Sequence, residues 1–121
     1  MKAIVVKSAN WAQNHLLERL PPGSIVIHGG DETIEVEAKK HGFETRVYVP
    51  RGDSASDLAS LYSDMFRKEH SDRDKVPVDL VLIFTHDLKR TRSLNDLVSK
   101  AKSKGVKTVV ISDSDASTNL A

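Results

Sequence analysis

A chain of 121 residues has the length of one domain. Lys and Arg number 18 and Asp and Glu number 17, so the net charge of +1 provides no overall field that would attract nucleic acid or an anionic membrane. The chain has no Cys, which excludes disulfides, thiolate metal sites and a Cys nucleophile and makes a reducing cytoplasm the expected location. The apolar run at 3–6 is too short for a signal peptide, and no window has the length of a membrane span.

Five short β-prone runs alternate with four amphipathic segments along the chain. The runs are 3–6, 25–27, 45–49, 78–84 and 106–111. The continuous run at 3–6 is typical of a strand that is buried on both faces. The run at 78–84 is the most apolar and is the best candidate for a central strand.

The segments between the runs have helical spacing and helix-ending residues. The first has Asn10 as a plausible N-cap, an apolar stripe and a stop at 21–23. The second begins at Asp31 and ends at Gly42. Ser54 or Ser56 caps the third. Its apolar positions, at i, i+3, i+4 and i+7, are Leu58, Leu61, Tyr62 and Met65.

The fourth helix is predicted to begin at Ser93. Asp96 stands three residues later, as in a capping box, and Gly105 follows the last apolar position. Residues 112–121 are small and polar, so we expect them to form a flexible C-terminal tail.

Strands joined by helices require a mostly parallel sheet that is covered on both sides. Right-handed crossovers leave few topologies, of which we favour the strand order 3-2-1-4-5. The predicted fold is therefore a Rossmann-like α/β three-layer sandwich formed by a single domain, residues 1–111. In this order the chain reverses direction between strands 1 and 4, and ligands bind there beyond the carboxyl ends of the strands.

Three segments are expected to meet at this crevice. The second strand ends in His28-Gly29-Gly30-Asp31, where two glycines allow close backbone approach and a helix N-terminus follows. Lys7 and Ser8 follow the first strand. The loop after the fourth strand carries cations, namely His86, Lys89, Arg90 and Arg92. This composition suits a ligand with phosphates.

Each of these residues also has a structural alternative. Gly29 and Gly30 can serve backbone geometry alone. His28 is either a satisfied structural side chain or a ligand contact. Asp31 is either a helix cap or an acceptor for ribose hydroxyls. Lys7 pairs either with phosphate or with Asp31.

The pattern resembles the SLOG superfamily of Rossmann-like proteins, and within it the YspA-like group. The motifs that carry the resemblance are Val6-Lys7-Ser8-Ala9-Asn10-Trp11, Ile27-His28-Gly29-Gly30-Asp31 and Thr91-Arg92-Ser93-Leu94-Asn95-Asp96. Members of the family are thought to bind nucleotides or nucleotide-derived small molecules. The cytokinin-activating relatives cleave an N-glycosidic bond with a Pro-Gly-Gly-x-Gly-Thr loop, which this chain lacks.

The expected function is a sensor or binding module for a nucleotide-like small molecule. The expected ligand-binding residues are Lys7, Ser8, His28, Gly29, Gly30, Asp31, Arg92 and Ser93. The alternatives are an N-glycosidase or phosphoribohydrolase, with Asp96 and Arg92 in the site, and a non-binding scaffold that self-associates as a homo-oligomer through the helix at 58–65. The chain's histidines are too dispersed for a metal set, and no resident cofactor is expected.

Overall fold

The computed structural model describes residues 1–8, 11, 17–70, 77–85 and 91–111. In chain order the elements are β1 Lys2–Lys7, β2 Ile25–His28, α1 Glu32–Lys40, β3 Glu44–Val47, α2 Ala55–His70, β4 Leu80–Phe84, α3 Arg92–Ser103 and β5 Lys107–Ile111. The strands form one sheet in the order β3-β2-β1-β4-β5. All four strand pairs are parallel. The predicted fold class and strand order are therefore confirmed.

The strand β1 lies at the centre of the sheet, between β2 and β4. Its register places Ile4 opposite Ile27 on one side and opposite Val81 on the other. Successive residues of β1 enter opposite cores: Ala3 lies in one and Ile4 in the other. Burial of both faces explains why this run is continuously apolar rather than alternating.

Helices cover both faces of the sheet. Ile34 and Ala38 of α1 belong to one core, together with Leu17 and Leu20. The helices α2 and α3 pack on the opposite face, in the core that contains Met65. Most of the predicted first helix, the loop residues 86–90 and the predicted tail at 112–121 lie outside the described residues. In the described part of the chain, no helix is long and apolar enough to cross a bilayer.

The predicted helix starts are correct at α1 and α2 but wrong at α3. Ser54 Oγ accepts a hydrogen bond from the Asp57 amide at 3.1 Å, which caps α2. The N-cap of α3 is Thr91, without a side-chain cap bond, and Ser93 lies inside the helix. The predicted capping box fails because Ser93 is buried and Asp96 forms an ion pair with Lys100 one turn later. The strand predicted at 45–49 ends earlier, at Val47.

A buried ionic cluster joins the start of β1 to the last turn of α2. The Glu69 side chain is 2% exposed, and its Oε1 lies 3.1 Å from Lys2 Nζ and 2.6 Å from Arg46 Nη1. The Tyr48 hydroxyl donates to the other carboxylate oxygen. Lys2 Nζ also donates to the Glu69 main-chain carbonyl at 3.3 Å. The cluster therefore ties α2 to β1 and β3 at once.

Candidate functional site

A cavity of about 320 Å³ opens at the carboxyl end of β1, where the chain reverses direction between β1 and β4. Its walls come from the ends of β1 and β2, the start of α1, one side of α2 and the first turn of α3. The residues that line it are Val5, Val6, Lys7, Ser8, Gly29, Asp31, Ile34, Pro50, Leu58, Leu61, Tyr62, Met65, Thr91, Ser93 and Leu94. Segments that are distant in the chain thus meet where the topology predicted a crevice.

Lys7 and Asp31 form an ion pair in the lining of the cavity. Lys7 Nζ lies 3.2 Å from Asp31 Oδ2, and the Lys7 side chain is 9% exposed. Asp31 Oδ1 accepts a hydrogen bond from the Ile34 amide at 3.2 Å, so the carboxylate also caps α1. Of the alternatives for these residues, the ion pair and the helix cap are both present. The charges of Lys7 and Asp31 cancel within the lining.

His28 does not line the cavity but hydrogen-bonds to the turn that does. Its Nδ1 accepts a hydrogen bond from the Gly30 amide at 3.0 Å, which requires a lone pair on Nδ1 and places the ring proton on Nε2. His28 Nε2 therefore donates to Glu35 Oε1, at 2.7 Å. Both ring nitrogens are engaged within the protein, so the described geometry is that of the structural alternative.

Glu35 links this histidine to the edge of the sheet. Its second carboxylate oxygen accepts a hydrogen bond from the Thr45 hydroxyl at 3.0 Å and lies 3.2 Å from Lys39 Nζ. The hydrogen bond from His28, with smaller contributions from Lys39 and Thr45, holds the pKa of Glu35 below its ordinary value against an opposing effect of burial. The turn before α1 is thereby held to both β2 and β3.

The two glycines of the turn have different structural tasks. Gly30 has φ +98°, a conformation that side chains with a Cβ rarely adopt, and its amide hydrogen is directed to His28 rather than to the cavity. A Cβ at Gly29 would lie 3.2 Å from Leu61 Cδ2, so this glycine allows α2 to pack closely on the turn. Gly29 lines the cavity, whereas Gly30 does not.

The first turn of α3 contributes hydroxyl groups. Thr91 and Ser93 line the cavity, and Ser93 hydrogen-bonds to the Tyr62 hydroxyl. Burial raises the pKa of Tyr62 to about 12, so its phenol stays protonated at neutral pH. Arg92 is exposed and does not line the cavity. Five of the eight predicted ligand-binding residues therefore line it, and His28, Gly30 and Arg92 do not.

Sequence reasoning missed the apolar wall. Leu58, Leu61 and Met65 of α2 line the cavity together with Leu94 of α3. The i, i+3, i+4 and i+7 spacing of α2 indicates a buried stripe, and periodicity does not distinguish a residue in the core from one that lines a cavity beside it. The sequence feature that could have indicated this wall is the two-glycine turn. Because Gly29 has no Cβ, α2 can pack against the end of β2.

A smaller and more polar cavity of about 260 Å³ adjoins this one and shares Pro50 and Leu61 with it. Its ionisable lining residues are Arg51, Asp57 and Asp64. The Arg67 guanidinium, 2.8 Å from Asp64, holds the pKa of Asp64 below its usual range. The Asp64 carboxylate is therefore ionised at neutral pH in a cavity next to the first one.

The fold and this cavity define a Rossmann-like α/β protein with a crevice at the switch point of its sheet. Comparison of the sequence with protein-family models and with curated proteins gives no match. The resemblance to the SLOG superfamily therefore stays a prediction. Among the described residues, no group of three or more His, Asp or Glu is arranged to hold a metal ion.

Proposed function

We propose that this protein is a binding module for a nucleotide or a nucleotide-derived small molecule. The observation that carries the proposal is the cavity of about 320 Å³ at the sheet switch point, with apolar walls and a few convergent polar groups. Ligand sites generally have this character, with volumes of about 300–1,000 Å³, and open α/β sheets bind ligands at this position. The volume is near the lower limit, which favours a ligand of nucleoside or mononucleotide size.

The lining suggests how such a ligand lies. Leu58, Leu61 and Leu94 provide an apolar slot for a flat heterocycle. The Asp31 carboxylate is a hydrogen-bond acceptor of the kind that binds ribose hydroxyls. The Ser8 and Ser93 hydroxyls line the same cavity and can donate or accept.

The Lys7–Asp31 pair determines the preferred charge of the ligand. Among the described lining residues Lys7 is the cation, and it is already neutralised by Asp31 at 3.2 Å. A triphosphate would bring several negative charges to a lining whose own charges cancel. We therefore expect nucleosides and monophosphates to bind more tightly than triphosphates.

Thermal denaturation with a ligand panel tests the proposal. The panel contains adenosine, guanosine, their mono- and triphosphates, and ADP-ribose. A ligand at about 100 times its dissociation constant adds about 2.7 kcal/mol to the free energy of unfolding, which is readily measured. If no member of the panel raises the melting temperature at millimolar concentration, the proposal is rejected in favour of the non-binding scaffold.

Two variants of the ion pair should change the affinity for monophosphates in opposite directions. Asp31→Asn keeps an acceptor for the Ile34 amide but removes the charge that neutralises Lys7. We expect it to weaken nucleoside binding and to strengthen monophosphate binding, whereas Lys7→Met should weaken monophosphate binding. Lys107→Met changes an exposed lysine of β5 and is the matched control.

The N-glycosidase alternative receives less support. Asp31 is the one carboxylate in the described lining, and its two oxygens contact the Ile34 amide and Lys7. Asp96 does not line the cavity and is paired with Lys100. Chromatography of the ligand panel after prolonged incubation with the protein tests this alternative directly, because release of free base would show that the protein cleaves the N-glycosidic bond.

A further inference from the structure

The strand β3 has an open edge. It pairs with β2 on one side, and in the described part of the chain no strand pairs with its other side. The Tyr48 amide donates to the His28 carbonyl at 2.9 Å, so the main-chain groups of Tyr48 and Arg46 point toward β2. Since main-chain direction alternates along a strand, the N–H and C=O groups of Thr45 and Val47, and of Val49 where the chain stays extended, point outward.

The side chains at this edge are unusual for an exposed strand. Val47 is 48% exposed and Val49 is 78% exposed. Val47 follows Thr45 at an alternate position, on the α1 face where Thr45 bonds to Glu35. Val49 lies two residues further along, after the end of β3, and lines the smaller cavity together with residues of α2. Proteins usually protect a free edge with charged side chains, Pro or a bulge, and Pro50 follows this edge, but Val47 and Val49 are left exposed on it.

We propose that the β3 edge pairs in antiparallel fashion with the β3 edge of a second copy of this chain, about a two-fold axis at Val47. In this register Val47 lies opposite Val47 of the second copy, and Thr45 lies opposite Val49. Every outward main-chain group of these residues then gains a partner, and the exposed valines cover one another. An axis at Thr45 instead would leave Val49 uncovered.

On the α2 face of the sheet, the side chains of this edge are also complementary to those of a second copy. Arg46 and Tyr48 project toward α2, where both contact Glu69. The two-fold axis at Val47 places Arg46 opposite Tyr48 of the second copy, and guanidinium groups interact favourably with aromatic rings. A net charge of +1 produces little repulsion between copies. These features favour a second copy as the partner, as closed two-fold symmetry is the commonest mode of self-association.

The absence of cysteine from the sequence makes a site-specific test available. In the proposed register the Val47 Cα atoms of the two copies lie about 5.5 Å apart, within the range of a disulfide. Val47→Cys should therefore form covalent dimers under mild oxidation. Two Val49→Cys chains should not cross-link with each other, because their Cα atoms would be roughly 13 Å apart. Val36→Cys, at a position 60% exposed on α1, is the control for random collision.

Two further measurements complete the test. A mixture of Thr45→Cys and Val49→Cys chains should cross-link, although neither variant does so alone. Light scattering should show a mass that rises with concentration toward the dimer, because an edge contact is smaller than a standard interface and gives a weak dimer. Val47→Lys should abolish this rise by placing like charges opposite each other.

The results that overturn the proposal are equally specific. Equal cross-linking of the Val47→Cys and Val36→Cys variants would show only random collision. A chain that stays monomeric at high concentration, or a dimer that forms without cross-linking at Val47→Cys, would also refute pairing at this edge. Ligand binding at the cavity is not involved in any of these measurements.

Discussion

Replacing Glu69 with alanine tests the buried ionic cluster that ties α2 to the sheet. The variant removes a carboxylate that is 2% exposed and lies 3.1 Å from the Nζ atom of Lys2, whose side chain is 0% exposed. It also removes one acceptor from Arg46 and one from the Tyr48 hydroxyl. Removing one ion from a buried ionic cluster is costly, because the charges that remain lose its attraction and are shielded from water.

The expected loss in the free energy of unfolding is about 3–5 kcal/mol, the range for breaking a buried ion pair by removing one partner. Total stabilities are about 5–15 kcal/mol, so the variant should remain folded with a small margin. For a chain of this length the melting temperature should fall by about 10–20 °C. Urea denaturation followed by far-UV circular dichroism measures the free energy directly.

A double variant separates the cost of breaking the buried ion pair from the loss of packing. In Lys2→Met/Glu69→Leu both buried charges are replaced by apolar groups, and we expect it to recover most of the stability that Glu69→Ala loses. Asp64→Ala, which removes an exposed ion pair from the same helix, should change stability little. A small loss for Glu69→Ala, or a double variant as unstable as the sum of its single variants, would refute the reasoning.

Two further predictions concern the turn before α1. Because the hydrogen bond from His28 lowers the pKa of Glu35, this carboxylate contributes stability above its unfolded pKa and loses it as the pH falls through the folded pKa. The stability difference between wild type and Glu35→Gln should therefore shrink from about pH 6 to pH 3 in urea titrations; a constant difference would contradict the pKa shift. Gly30→Ala should cost about 1–2 kcal/mol in the same assay. Its φ is +98° and the new Cβ would meet Val47 only at 4.0 Å, so this cost is conformational, and a neutral result would contradict it.

Local patterns in the sequence were sufficient for the architecture. The continuous apolar run at 3–6 and the largely apolar run at 78–84 indicate strands buried on both faces, and this burial is observed in β1 and β4. The helix start at Asp31 was predictable because capping depends on a residue and the amides directly after it. The handedness of parallel crossovers, a general property of L-amino-acid chains, left few strand orders, and the favoured order 3-2-1-4-5 is the observed one.

The roles of individual site residues depended on neighbours far along the chain. The sequence indicated that Lys7 and Asp31 end up near each other, but it left open whether Lys7 pairs with Asp31 or with a ligand. His28 could be a contact or a support until Gly30 and Glu35 were seen to occupy both its nitrogens. Periodicity, capping and turn preferences are local properties, whereas the partner of a polar side chain depends on which segments the folded chain brings within hydrogen-bonding distance.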